Sequence, residues 1–214
     1  MPSKPSVALF LVAGFALASA SLAVVEPKSA PANPGSDPPS VTTPPLAPIV
    51  TEDFEGGVVP PTGWTTQVQN ATYTWVAATS PHGGTYGAKV PWDYTQDEWL
   101  ITPQFNISSG TLTFWSMGSV YWCRDNYNNC DVQVLLVVGT PGGGDDVLVG
   151  TAEASWTANW TWAQSSFNLN SLLPGGAIRI AFRYVGNDGA DAHLDDVLLD
   201  GVAVPVELMR FTLE

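Results

Sequence analysis

Two groups of residues in this chain have the types and spacing to do chemistry. The first is acidic. Asp53 and Glu55 stand two apart in a short apolar run, Val50–Phe54 with its neighbours, and a strand there points both carboxylates to one face. Asp195 and Asp196 sit together in the last apolar run, Ala192–Leu199. Hard oxygen donors gathered in one place suit Ca²⁺, which takes six to eight of them. Without a cation such carboxylates repel one another and their pKa values rise. The other reading of the same acids is four ordinary solvated groups at strand ends.

The second group is aromatic. Tyr121-Trp122-Cys123-Arg124-Asp125-Asn126-Tyr127-Asn128-Asn129-Cys130 puts three rings among amides, an acid and an arginine. Flat apolar faces to stack on, with polar groups that fix orientation, make a sugar or peptide site. Tyr121, Trp122, Arg124, Asn126 and Tyr127 are therefore the candidate ligand-binding residues. A loop that packs its rings on its own domain has the same composition, so both readings stand. Trp156, Trp160 and Trp162 form a second patch, open to core or sheet-edge packing as well. Cys123 and Cys130 are the only two cysteines, and an even count in an exported chain predicts a disulfide that pre-orders the loop. Two thiols without a second ligand pair do not make a zinc site.

Other polar features are bland. Asn187-Asp188-Gly189-Ala190-Asp191 reads as a hairpin turn and lacks the spacing of an EF-hand loop. Gly142-Gly143-Gly144-Asp145-Asp146 is a flexible loop, with no following Lys or Ser/Thr to cradle phosphate. The sequons at Asn70, Asn106 and Asn159 are discounted. Catalysis finds little support. His82 lies in a Pro-Gly turn and His193 before the aspartate pair, and a Ser–His–Asp set built on His193 is one that any serine-containing chain permits. A glycosidase needs two carboxylates flanking a bond, and the acids of this chain have a competing use. The expectation is a non-enzyme.

The elements that must position these residues follow from composition. The chain has 214 residues, 7 Lys+Arg against 20 Asp+Glu, a formal charge of −13 and 9 Trp. The acidic excess argues against nucleic acid or anionic membrane as partner. Lys4, the apolar run Val7–Ala18 and Ala18-Ser19-Ala20 read as a secretory signal over 1–20, the run being about twelve residues against the roughly 20 that span a bilayer. No membrane span is expected after its removal, and the location is extracellular. Residues 21–48 carry eight prolines and predict an extended spacer. Residues 49–203 hold ten short runs of alternating or β-branched character bounded by Gly, Pro, Asn or Asp, and no helical periodicity. In Ile178–Tyr184 the apolar residues Ile178, Ile180, Phe182 and Tyr184 share one face and Arg179 and Arg183 the other. The fold class is all-β, an antiparallel two-sheet sandwich. Residues 204–214 form a C-terminal tail.

Four blocks in register resemble the choice-of-anchor J and cleaved-adhesin domains, which are similar to the adhesin domains of gingipains and more distantly to MAM domains. They are Val50-Thr51-Glu52-Asp53-Phe54-Glu55-Gly56-Gly57 with Pro61-Thr62-Gly63-Trp64; Asp97-Glu98-Trp99-Leu100-Ile101-Thr102-Pro103; Thr111-Leu112-Thr113-Phe114-Trp115; and Ile180-Ala181-Phe182-Arg183-Tyr184 through Leu194-Asp195-Asp196-Val197. The resemblance implies a jelly roll, secreted or surface-displayed, that binds calcium structurally and serves adhesion or recognition without catalysis. It implies Asp53, Glu55 and Asp196 as Ca²⁺ ligands, with Asp97 and Asp195 as further candidates. The resulting expectation is a calcium-stabilised module for an extracellular glycan or protein ligand. A structural subunit of an envelope assembly, and more remotely a glycan-active enzyme, are the alternatives.

Overall fold

Alternation decides this fold, because a strand with one wet and one dry face must lay the dry face on another sheet. In Ile107–Met117 the buried residues Gly110, Leu112, Phe114 and Ser116 alternate with partly exposed Thr111, Thr113 and Trp115. The computed structural model of the protein describes residues 48–204. The expected leader over 1–20, all but Pro48 of the expected spacer and the expected tail from residue 205 on lie outside the described residues.

Eleven strands run in order: β1 (Pro48–Glu52), β2 (Thr65–Gln67), β3 (Val76–Ala78), β4 (Gly87–Val90), β5 (Gln96–Ile101), β6 (Ile107–Met117), β7 (Cys130–Val137), β8 (Val147–Thr151), β9 (Ala163–Asn168), β10 (Arg179–Gly186) and β11 (Ala192–Ala203). A π-helical turn, Tyr121–Asp125, and a 3-10 turn, Ala152–Ser155, interrupt them. One sheet has the order β3-β4-β11-β6-β9 with β1 also on β11; the other is β2-β5-β10-β7-β8. All pairings between the named strands are antiparallel. The two-sheet sandwich read from the sequence is the fold, and its ten expected strands are all present. The eleventh, β2, is three residues long and too short to show a period.

Between the sheets Phe54, Trp64, Leu112, Phe114, Leu136, Ile180, Phe182 and Leu199 form the core. Phe114 meets Phe182 edge-on at 5.0 Å across the layers. Trp99 is buried elsewhere. It lies with Ile101, Leu135, Val137 and Ala181 in a second cluster on the outer side of β5-β10-β7. Arg183 covers its ring at 4.8 Å, and Gly142 of the glycine-rich loop approaches it. That loop, expected to be merely flexible, closes a small outer core, and Arg179 donates to the Gly139 carbonyl at 2.9 Å.

One sequence expectation about geometry fails. β1 ends at Glu52, so Asp53 and Glu55 do not alternate along a strand. Phe54 between them has a φ of +56°, and its N–H is taken by Glu52 Oε1 at 2.8 Å. The chain leaves the sheet there: Phe54 is buried in the core, and its carbonyl accepts from the Gly57 N–H at 2.9 Å in the turn that follows.

Candidate functional site

The sandwich positions two candidate sites. The acidic one arises where β11 changes partner. β4 pairs with Ala192–Leu194, and β1 takes up pairing at Val197–Asp200, with Glu52 opposite Val197. Asp195 and Asp196 fall in the gap, at a break in the register of β11 on β6, and Asp196 has a φ of +47°. Asp53 and Asp196 line one hollow of about 260 Å³ with Trp115 and Gln164. The loop before β4 fills the gap. Asp195 Oδ2 accepts from the His82 and Gly83 N–H groups at 2.7 and 3.2 Å, and Glu55 Oε1 accepts from Thr85 and Tyr86 N–H at 2.7 and 2.9 Å. A Cβ on Gly84 would lie 2.2 Å from Glu55 Oε1, so only glycine allows this approach. His82 Nδ1 lies 2.7 Å from Asp196 Oδ2, its ring stacked 3.8 Å from that of Trp115.

The side chain of Asp195 is buried, and burial pushes its carboxyl pKa up, with Asp196 adding to the rise against the N–H donors. Burial likewise pushes His193 down to about 4. The structure thus brings Glu55, Asp195 and Asp196 to the 82–86 loop, and Asp53 to the hollow that Asp196 also lines. It does not bring Asp97, which lies on β5 in the other sheet and is held by Arg183 at 2.6 and 2.7 Å and by the Trp99 indole N–H at 2.7 Å. That partner holds the Asp97 pKa below the usual carboxylate range. Among the described residues no group of three or more His, Cys, Asp or Glu side chains converges closely enough to hold a metal ion.

The aromatic site lies at one end of the sandwich, where β4, β6 and β10 end and β5, β7, β9 and β11 begin. The disulfide Cys123–Cys130 closes the loop there. Trp122 stacks on Tyr127 at 4.4 Å, with Tyr121 edge-on to both at 5.4 and 5.3 Å. Trp122 then lines a hollow of about 320 Å³ with Trp92, Trp160 and the turn Asp188–Asp191. Trp160 is 51% exposed and has a φ of +57°, its N–H bonded to the Gly118 carbonyl at 2.8 Å. Trp92 is 44% exposed and its N–H donates to Asp191 Oδ1 at 2.9 Å. Asn159 ties the two loops, accepting from Ser119 Oγ and the Tyr121 N–H, both at 3.1 Å.

Of the five loop residues named from sequence, Trp122 alone lines this hollow. Tyr121, Asn126 and Tyr127 are exposed beside it. Arg124 is a brace: its Nη1 donates to the Glu153 and Trp156 carbonyls at 3.0 and 2.8 Å, and its Nε to Asp125 at 2.7 Å. Its Nη1 ties the π-helical turn to the 3-10 turn. The second tryptophan patch splits as well. Trp156 is core, its indole N–H bonded to Ser116 Oγ at 2.9 Å, and Trp162 packs edge-on to His82 and His193. Trp92 was missed from sequence; its place after a proline in a turn-rich stretch gives no periodicity to read.

No protein-family model matches the chain, and no curated protein matches it. Solved structures do. The K3 cleaved adhesin domain of Lys-gingipain from Porphyromonas gingivalis aligns at a TM-score of 0.56 and 22% identity, over 72% of this chain and 98% of that one. The K2 domain of Lys-gingipain aligns at 0.53 and 18%, over 70% and 98%. The CBM22-1 xylan-binding domain from Paenibacillus barcinonensis Xyn10C aligns at 0.51 and 10%, over 75% and 98%. The chain therefore has the β-sandwich fold of cleaved adhesin domains and of a carbohydrate-binding module.

Proposed function

We propose that this chain is a secreted, surface-associated recognition module of the cleaved-adhesin and choice-of-anchor J kind, without catalysis, whose ligand is a glycan seated on Trp92, Trp122 and Trp160. The observation that carries the reading is the exposure of Trp92 and Trp160 around one hollow. Elsewhere in the domain Trp64, Trp75, Trp99 and Trp156 are buried, as the large apolar area of an indole favours. Exposed rings rimmed by polar groups mark interaction surfaces, and stacking on sugar C–H faces recovers the forfeited burial. The fold neighbours agree in kind, one being a xylan-binding domain. Both rings are exposed and neither belongs to the core, so Trp92→Ala and Trp160→Ala are expected to fold. The test is a glycan-array scan of the full chain beside these two variants. Binding that both variants lose supports the reading. Silence from a folded wild-type protein overturns it in favour of an assembly subunit.

The finer reading includes a structural Ca²⁺ held by Asp53, Glu55, Asp195 and Asp196. Its support is chemical: a carboxylate offers about four lone-pair positions, of which the N–H groups of the 82–86 loop take only part, and the donors are all hard oxygens. Asp195 is fully buried, and its donors are the backbone N–H groups of His82, Gly83 and Asp196, with no cationic side chain among them. Bound there, the cation would tie the loop before β4 to β11. Occupancy at 100 times Kd adds about 2.7 kcal/mol. At roughly 2–4 °C per kcal/mol for a domain of this size, the thermal midpoint rises by about 5–10 °C. Equal midpoints in excess Ca²⁺ and in chelator overturn this part.

A further inference from the structure

Beside the tryptophan-lined hollow lies a second one with different chemistry. It measures about 520 Å³ and is lined by Thr95, Asn128, Asn129, Asp131 and Asn187, without an aromatic ring. The β10–β11 turn is common to both: Gly186 and Asn187 line the polar hollow, Asp188 and Gly189 the aromatic one. This shared turn is fixed. The Asn187 N–H donates to the Asn129 carbonyl at 2.9 Å, Asn129 Nδ2 to the Asp188 carbonyl at 3.0 Å, and the Asp188 N–H to the Asp93 carbonyl at 3.2 Å. A Cβ on Gly189 would lie 2.7 Å from Cys130 Sγ, so the turn rests directly on the disulfide.

Backbone strain marks the same surface. Six non-glycine residues have positive φ among the described residues, and Thr95, Asn128, Trp160 and Asp188 of these line the two hollows. The other two, Phe54 and Asp196, belong to the acidic site. An L side chain is disfavoured in this region, and such strain persists where the surrounding structure holds it, often at binding surfaces.

Charge selects the ligand class. Neither hollow is lined by a lysine or an arginine, while Asp131, Asp188 and Asp191 are present. The nearby cations are engaged: Lys89 with Asp191 at 3.1 Å and Arg124 with Asp125 at 2.7 Å. A carboxylated or sulfated sugar would find repulsion and no partner, whereas carboxylate and amide groups match hydroxyls in both directions.

We propose that the two hollows form one continuous site for a neutral oligosaccharide chain, stacked on Trp92, Trp122 and Trp160 at one end and hydroxyl-bonded by Asn128, Asp131 and Asn187 at the other. The inference rests on the glycan reading above and adds to it a chain direction, a polar subsite and a charge class. The test titrates the full chain with neutral cello-, xylo- and galacto-oligosaccharides of two to five units, and with oligogalacturonates of the same lengths. Asn128→Gly keeps the left-handed backbone and removes the amide. The expected result is affinity rising at least tenfold from two units to five for a neutral series, with no oligogalacturonate binding. That gain should be lost in Asn128→Gly, and all binding lost in Trp160→Ala. Neutral binding that is equal at two and five units and unchanged in Asn128→Gly overturns the extended site while leaving glycan recognition intact. Oligogalacturonate binding as tight as neutral binding overturns the charge class. A folded protein that binds none of the four series overturns this inference, and a silent glycan array would overturn the reading beneath it.

Discussion

Reducing the Cys123–Cys130 bond tests whether the aromatic loop is held by covalent constraint or by its own contacts. The bond closes a loop of about eight residues, for which chain entropy gives about 2.5 kcal/mol. Both sulfurs are buried, with Cys130 Sγ against Gly189 and accepting from the Ala190 N–H at 3.3 Å. Two thiols fill nearly the same volume, so reduction removes the constraint and leaves most of the packing. At roughly 2–4 °C per kcal/mol, the full chain refolded in reductant should melt about 5–10 °C below the oxidised protein by calorimetry. The near-ultraviolet circular dichroism should weaken too, because Tyr127 lies inside the closed loop and stacks on Trp122, the residue just before Cys123. A midpoint within about 2 °C and an unchanged spectrum would refute the reasoning. The Asn159 and Arg124 bonds would then be what orders the loop.

Three further outcomes follow from the packing. Burial pushes the Glu153 carboxyl up, although it accepts from the Val132 N–H at 3.0 Å. A raised folded-state pKa means the native form binds the proton first, so this group's contribution is full below its unfolded value and lost as pH rises through the folded one. Glu153→Gln should therefore melt at or above wild type at pH 7, with the difference closing toward pH 4.5; a variant less stable at pH 7 than at pH 4.5, relative to wild type, refutes this. Arg183→Met removes both the bidentate hold on Asp97 and the cation over Trp99. It should lower unfolding free energy in urea by about 1–2 kcal/mol, and no change would mean that the outer core does not need its cover. Gly84→Ala meets Glu55 at a position with φ +65°. A loss of more than about 1 kcal/mol is expected, and an unaltered denaturation curve would show that the 82–86 loop moves away without penalty.

What the sequence determined is what depends on local period and chemistry. Alternation in Ile178–Tyr184 fixed which residues face the core: Phe182 and Tyr184 are buried while Arg179 and Arg183 face outward. The pairing of two cysteines and the turn at Asp188-Gly189 were equally local facts. Tertiary structure decided the rest. Trp156 and Trp160 stand four apart, yet one is core and the other rims the hollow, because a tryptophan's role depends on which loop backs it. Asp97 and Asp195 look alike in sequence, but β5 delivers one to Arg183, while the change of partner along β11 delivers the other to the His82–Gly83 backbone. Arg124 reads as a ligand group until the carbonyls of Glu153 and Trp156 are found in its reach. Sequence carries period and donor type; only strand order brings residues 92, 122, 160 and 188 to one surface, since their meeting depends on contacts far apart along the chain.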